Sequence, residues 1–244
     1  MKKRLLVLGL AFTMLAATAC GTSSDGGNKT SKADKTVTAT SNSDKTSETQ
    51  KDDDKKDDAK ESYKSADDIT MDDLKNHEET PGEDFKYRDK SNGEAVIKEY
   101  TGDDPIVVIP NEIDGKKVVD FGKIFTNDKD IVAVKVGDNV EEIADGAFTN
   151  CDNLKYVILG KNVKKINDNN VGGKKLEALE LNDGLEELGT GSSTTGVIVM
   201  GDIDVKIPES VKKMDFACEK AMIVKAGSYA ESYAKENNMD YRVE

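Results

Sequence analysis

The sequence predicts a β-dominated solenoid of about five to six short parallel strands with irregular return segments. Three observations carry that expectation. An apolar triplet recurs at nearly constant spacing, as Ile131, Val134 and Val136, then Leu154, Val157 and Leu159, then Leu176, Leu179 and Leu181. A second apolar series recurs between the triplets, as Phe121 and Phe125, Ile143 and Phe148, Ile166 and Val171. The ends break the pattern with a hairpin signal on one side and a helix signal on the other, and stacked units need such covers because no unit buries its own face alone.

Charge divides the 244 residues before any repeat begins. Residues 1–19 carry three cations and no acid, and residues 21–66 hold nine lysines against ten carboxylates. The total of −13 therefore leaves −15 on the rest of the chain. Lys2-Lys3-Arg4 precedes an apolar run from Leu5 to Ala17, which ends Ala17-Thr18-Ala19-Cys20. The run is shorter than the roughly 20 residues needed to span a bilayer and finishes in small residues, so residues 1–19 read as a cleaved signal peptide. A cysteine directly after that site resembles the lipobox of bacterial lipoproteins. The resemblance implies a diacylated Cys20 at the new N-terminus and a membrane-anchored protein, and two acyl chains suffice for stable anchoring.

After Cys20, residues 21–66 are mostly Ser, Thr, Lys, Asp and Gly, with Val37 and Tyr63 as the only sizeable apolar groups. Such a composition cannot offset the entropy of ordering, and a disordered tether is expected. It would reach roughly 150 Å extended and average about 35–40 Å as a coil. Residues 67–84 then read as a short acidic helix and linker. Thr70-Met71-Asp72-Asp73 has the form of a capping box, a helix through about Glu79 follows, and Pro81-Gly82 stops it. His77 is expected to face solvent on this helix.

Residues 85–244 form the repeat domain. Phe85–Arg88 and Ala95–Tyr100 alternate around Ser91-Asn92-Gly93, a strong hairpin signal. The triplets step by 23 and then 22 residues, inside the window of leucine-rich repeats, each unit giving one strand and a return segment. Val107, Val134, Val157, Leu179, Val205 and Met222 occupy the same phase. Gly189–Gly196 is too polar for a return segment and reads as a loop, with Val197–Met200 as an extra strand beyond it. Tyr229 to Asn237, opened by Ser228, reads as a terminal helix.

Several motifs then resemble the BspA-type (treponemal) leucine-rich repeats. Ile143 followed by Ala147-Phe148-Thr149-Asn150-Cys151-Asp152-Asn153-Leu154 is similar to the family's I-x-x-x-A-F-x-x-C-x-x-L hallmark. Val107-Val108-Ile109-Pro110 and Val205-Lys206-Ile207-Pro208 resemble its V-x-I-P units. The resemblance covers roughly residues 85–244 and implies a bacterial surface protein of adhesive or matrix-binding character.

Chemistry is thinly furnished. One histidine assembles neither a Ser–His–acid triad nor a histidine-bearing zinc site. Cys151 sits at a return-segment position where a small thiol packs, without a cationic or histidine neighbour to activate it. The pairs Glu141-Glu142 and Glu186-Glu187 recur at one repeat phase, as a solvated edge would. No catalytic residue, metal ligand or cofactor is expected. The acidic balance opposes phosphate-backbone binding, so nucleic acid is not an expected partner.

Binding has a better candidate. Outward positions of the strands line the solenoid's concave face, where Ala133, Lys135, Tyr156, Ile158, Ala178 and Glu180 form the central columns. Most residues of the outward columns are apolar for an acidic domain, with Lys135 and Glu180 as a charged rim, which suits a protein contact around Tyr156, although β-propensity alone also selects such residues on strands. The expected function is a lipid-anchored, cell-surface recognition module, monomeric in its repeat domain, that binds a host, matrix or bacterial protein. The alternative is a structural or accessory cell-envelope lipoprotein with no foreign ligand.

Overall fold

A computed structural model describes residues 65–189 and 196–244. The signal peptide, Cys20, nearly all of the tether and the centre of the polar loop after Leu188 lie outside the described residues. What is described is a β-solenoid, as the spacing predicts.

The chain enters through a 3-10 turn (Ala66–Asp68) and a short helix α1 (Met71–Asn76). Strands β1 (Phe85–Asp89) and β2 (Ala95–Tyr100) follow as an antiparallel hairpin, with Gly93 at φ 81° in the turn. The first coil holds β3 (Ile106–Val108), β4 (Glu112–Ile113) and β5 (Lys116–Asp120), and β5 pairs with both β2 and β4. The second holds β6 (Ala133–Lys135) and β7 (Glu142–Ile143). Three coils of three strands come next. They are β8 (Tyr156–Ile158), β9 (Lys165–Ile166) and β10 (Asn169–Val171), then β11 (Ala178–Glu180), β12 (Glu187–Leu188) and β13 (Val197–Val199), then β14 (Val205–Lys206), β15 (Lys213–Met214) and β16 (Phe216–Cys218). The chain closes with β17 (Met222–Val224), helix α2 (Tyr229–Glu236) and β18 (Tyr241–Val243).

Stacking produces parallel ladders down each side. β3, β6, β8 and β11 form one sheet, β7, β9, β12 and β15 a second, and β10, β13 and β16 a third. Inward residues are apolar because they face the same position of the next coil. Val107, Val134, Val157, Val205 and Met222 are all fully buried, as their shared phase requires. Phe121, Phe125 and Phe148 form one aromatic cluster, with the Phe125 and Phe148 rings stacked 6.2 Å apart at 7°. The corners are as repetitive as the strands. A Cβ on Gly160 would stand 2.3 Å from the Gly137 carbonyl oxygen, so the coils approach too closely there for any side chain. Asn127 and Asn150 both adopt positive φ, and Asn150 donates to Asn127 across the coils at 2.8 Å.

Four expectations are corrected. Helix α1 ends at Asn76 rather than near Glu79, with His77 as its C-cap. His77 does not face solvent, since its side chain is 23% exposed with Nε2 3.4 Å from an Asp104 carboxylate oxygen. Val197–Val199 is a strand, as its composition predicts, but it lies as the third side of its coil rather than as an addition to it, in register with Asn169–Val171 and Phe216–Cys218. Finally, among the described residues the first sheet ends at β11, which pairs with β8, while β14 pairs with β17. Leu179 is half-buried at that break although its phase-mates are buried. Asn182 Oδ1 and Asp204 Oδ1 are buried nearby without a hydrogen-bond donor among the described residues.

Phe148→Ala should lower the stability of the repeat domain by about 3–5 kcal/mol, because it empties a site enclosed by two other rings. Lys161→Ala, which loses only the exposed pair with Asp138, should cost no more than about 1 kcal/mol in the same denaturant titration. Equal effects would show that the ring cluster is not the centre of the core.

Candidate functional site

The six residues expected on the concave face do come together. In the first sheet Ala133, Tyr156 and Ala178 stand in one register column, and Lys135, Ile158 and Glu180 in the next. Ile106 and Val108 of β3 extend the two columns. They form the outer face of the sheet, opposite the core-facing Val107, Val134 and Val157.

That face is covered. Residues 65–80, hereafter the strap, lie across it, and Ile69 and Leu74 of the strap share a small second core with Ile106, Val108, Val132, Ala133 and Tyr156. Ala133 is 0% exposed and Tyr156 only 7%, so neither is available at the surface as the sequence reading expected. The physical reason lies in the outer columns themselves. An apolar sheet face next to an amphipathic segment of the same chain will bury it, because each apolar side chain removed from water contributes about 1.5–3 kcal/mol. Lys135, Ile158 and Ala178 remain half-buried, and Glu180 is exposed.

The strap has its own local logic. Thr70 is the N-cap, accepting from the Asp73 N–H while its own N–H donates to the Asp73 carboxylate at 2.7 Å. The acidic first turn suits the helix dipole. Leu74 is fully buried and Met71 half-buried, so α1 turns one apolar side toward β3 and β6. At its far end Thr80 behaves as a strand residue. Its N–H donates to the Val108 carbonyl and its hydroxyl accepts from the Val108 N–H, both at 3.0 Å, which closes the free edge of β3.

Charged groups orient it. Lys75 pairs with Glu180 at 2.7 Å and His77 faces Asp104. Lys155 was not singled out by the sequence reading, yet it is the most enclosed cation at the site. It is 7% exposed, pairs with Glu177 at 2.9 Å, and its ammonium lies 3.3–3.4 Å from the Asp67 and Ile69 carbonyl oxygens. It also lies 5.4 Å from the centre of the Tyr156 ring. The Tyr156 hydroxyl donates to Glu177, and burial, followed by that carboxylate, pushes the phenol up to about 12. Only its position beside Tyr156 signalled Lys155 in the sequence.

Other surfaces show no assembled chemistry. The paired glutamates lie on the second sheet, where Glu142, Lys165, Glu187 and Lys213 alternate in sign along one register column. Lys165 lies 3.4 Å from Glu142 and Lys213 3.4 Å from Glu187, and Glu141, Lys164, Glu186 and Lys212 repeat the alternation beside them. Cys151 donates to the Phe125 carbonyl and burial pushes its thiol up to about 12, the opposite of an activated nucleophile. Cys151 and Cys218 are both free thiols. An open cleft of about 810 Å³ between the hairpin and the second sheet mixes Arg88, Lys90 and Lys123 with Glu94, Glu141 and Asp145. Among the described residues there is no cluster able to hold a metal ion, and no helix is long and apolar enough to cross a membrane.

Residues 122–197 match the BspA type leucine rich repeat region, in six copies. Two solved structures are similar more loosely. A leucine rich repeat protein of T. pallidum is 23% identical over 60% of this chain and 71% of that one, with a TM-score of 0.48. A leucine rich cell surface protein of Faecalibacterium prausnitzii is 17% identical over 56% of this chain and 53% of that one, with a TM-score of 0.33. No curated protein matches the chain.

The Asp73 carboxyl is held below its ordinary value of 3.8, first by the Thr70 hydroxyl and then by the Thr70 N–H. A depressed value in the folded state stabilises the helix start at every pH above the unfolded value, and that contribution is lost as pH falls through the folded one. Deuterium uptake of residues 70–76, corrected for intrinsic exchange, should therefore rise as pH drops from 5 toward about 2. Thr70→Ala should raise it at neutral pH by weakening the helix start by about 0.5–2 kcal/mol. Unchanged protection in both cases would show that the cap does not hold the strap.

Proposed function

We propose that this BspA-type leucine-rich-repeat protein is a lipid-anchored, extracytoplasmic recognition module, held to the membrane through Cys20 and binding a protein partner on the outer face of the β3–β6–β8–β11 sheet. A leucine-rich-repeat architecture fits recognition or binding in general, and stacked coils supply a rigid, extended surface for it. One observation carries the choice of face. The sheet already holds an amphipathic helical segment by its outward apolar columns, with Glu180 and Lys155 fixing the segment's charged and carbonyl groups. Ile158, packed against that second core, and Lys135 are half-buried at the margin of the contact. The module works without catalysis, metal or cofactor in this reading, since the charged pairs alternate in ladders and Cys151 is bonded and buried.

A second reading has an observation of its own. If the strap is a permanent part of the fold, the apolar columns are already satisfied and the protein is a structural or accessory component of the cell envelope. The two readings diverge at Ile158. With cross-linking on intact cells, Ile158→Asp should lose the captured partner by at least about tenfold while the melting midpoint stays within a degree or two, as for a contact residue rather than a core one. Capture unaffected by Ile158→Asp would remove this face as the recognition surface.

The anchor is tested separately. Labelled fatty acid should enter the wild-type protein, and Cys20→Ala should abolish that label and release the chain from the membrane fraction or leave it unprocessed. Retention of an unlabelled, processed Cys20→Ala chain in the membrane fraction would contradict lipid anchoring.

A further inference from the structure

The strap is bonded to the solenoid as a ligand is bonded to a receptor, not as a coil is bonded to its neighbour. It contributes no strand to the second or third parallel ladder, and its backbone meets this side of the solenoid through Thr80 at the edge of β3 and through the Asp67 and Ile69 carbonyls that Lys155 holds. Removing residues 65–79 would leave every ladder hydrogen bond in place. Its hold is modest in kind. Ile69 at 1% exposure and Leu74 at 0% are its fully buried apolar groups, set against the entropy of ordering the whole segment. The pair between Lys75 and Glu180 is exposed on both sides, which favours orientation over affinity. A single six-residue helix has little stability away from its surface.

Charge complementarity adds a polarity to the contact. At the start of the strap Asp67 lines an open pocket of about 410 Å³ with Lys155, Lys174, Lys175, Glu177 and Asp202, and Lys155 holds the Asp67 and Ile69 carbonyl oxygens. The end of α1 carries Lys75 to Glu180. The carbonyls of the start are matched by a cation, the apolar middle by apolar columns and the cationic end by a carboxylate.

We propose that this face is a receptor for amphipathic helices, that residues 65–80 are its resident occupant, and that the protein partner binds by displacing them with a helix of the same chemistry. That helix would carry an acidic first turn, apolar side chains spaced as Ile69, Met71 and Leu74, and a cation placed as Lys75 is. The inference rests on the reading of this sheet as the recognition face. It adds the class of partner and a built-in competitor, so the apparent affinity for the partner is lowered by the fraction of molecules whose strap is seated.

The probe is a fluorescein-labelled peptide of residues 65–80, titrated into the full chain by anisotropy. Wild-type protein, whose own strap is present at high effective concentration, should bind it at least tenfold more weakly than Leu74→Asp, in which a carboxylate evicts the strap from a fully buried site. In the Leu74→Asp background, Glu180→Lys should weaken the peptide and a peptide carrying Lys75→Glu should restore it. Deuterium uptake of residues 65–80 and the melting midpoint are read on the same samples. Release of the strap without peptide binding overturns the inference, because the face then does not recognise the segment in trans. A strap still protected in Leu74→Asp overturns it, because the occupant is then not displaceable. Collapse of the whole solenoid in Leu74→Asp overturns it as well, because the strap is then core. Peptide binding combined with cell-surface capture that ignores Ile158→Asp would remove the proposed function and the displacing partner with it, while the face's recognition of the strap segment would stand.

Discussion

A coil of this protein has no core of its own, and everything else in the fold depends on that constraint. Each coil sends two or three apolar side chains inward at fixed phase, and they become buried only when the next coil stacks on them in register. Parallel ladders hold the register along the sides, Gly137 and Gly160 let the corners close, and asparagines at positive φ turn the return segments. The aromatic cluster of Phe121, Phe125 and Phe148 shows the result, since its three rings come from two successive coils and none would be covered by its own coil alone.

The same constraint governs the outer surface. Outward positions are free of the stacking requirement, and on the second sheet they carry charges that alternate from coil to coil. On the first sheet most of them are apolar instead, Lys135 and Glu180 excepted, which stacking does not explain. Their burial beneath Ile69 and Leu74 does. The strap therefore accounts for a composition that the repeat leaves unaccounted for, and the acidic residues flanking its apolar ones keep its other side in water. Lys155 joins the two systems, taking strap carbonyls on one side and Glu177 on the other while it lies against the Tyr156 ring.

The repeat register was legible because inward positions have no chemical freedom, and a column such as Val134 and Val157 must be apolar in every coil. The hairpin and the terminal helix were legible from Asn92-Gly93 and from Ser228. Strand length hid the third side of each coil, since Phe216–Cys218 or Asn169–Val171 is too short to show a period. The break beyond β11 left one trace, the long step from Leu179 to Val205, which does not say which ladder opens. The six candidate residues were placed correctly in register, yet their cover was missed. Ile69, Met71 and Leu74 sit in so acidic a stretch that they read as a solvated helix, and only the apolar outer columns and these three residues taken together point to the contact.

Carbodiimide coupling of the intact protein, mapped by mass spectrometry, tests most directly whether the strap lies on the sheet. An ammonium 2.7 Å from a carboxylate couples without a spacer, so an intramolecular Lys75–Glu180 amide should form in dilute solution, independent of protein concentration. Lys155–Glu177 serves as the internal standard from within the solenoid. Abundant Lys155–Glu177 product with no Lys75–Glu180 product would contradict the account, because the solenoid would be intact and its outer face uncovered.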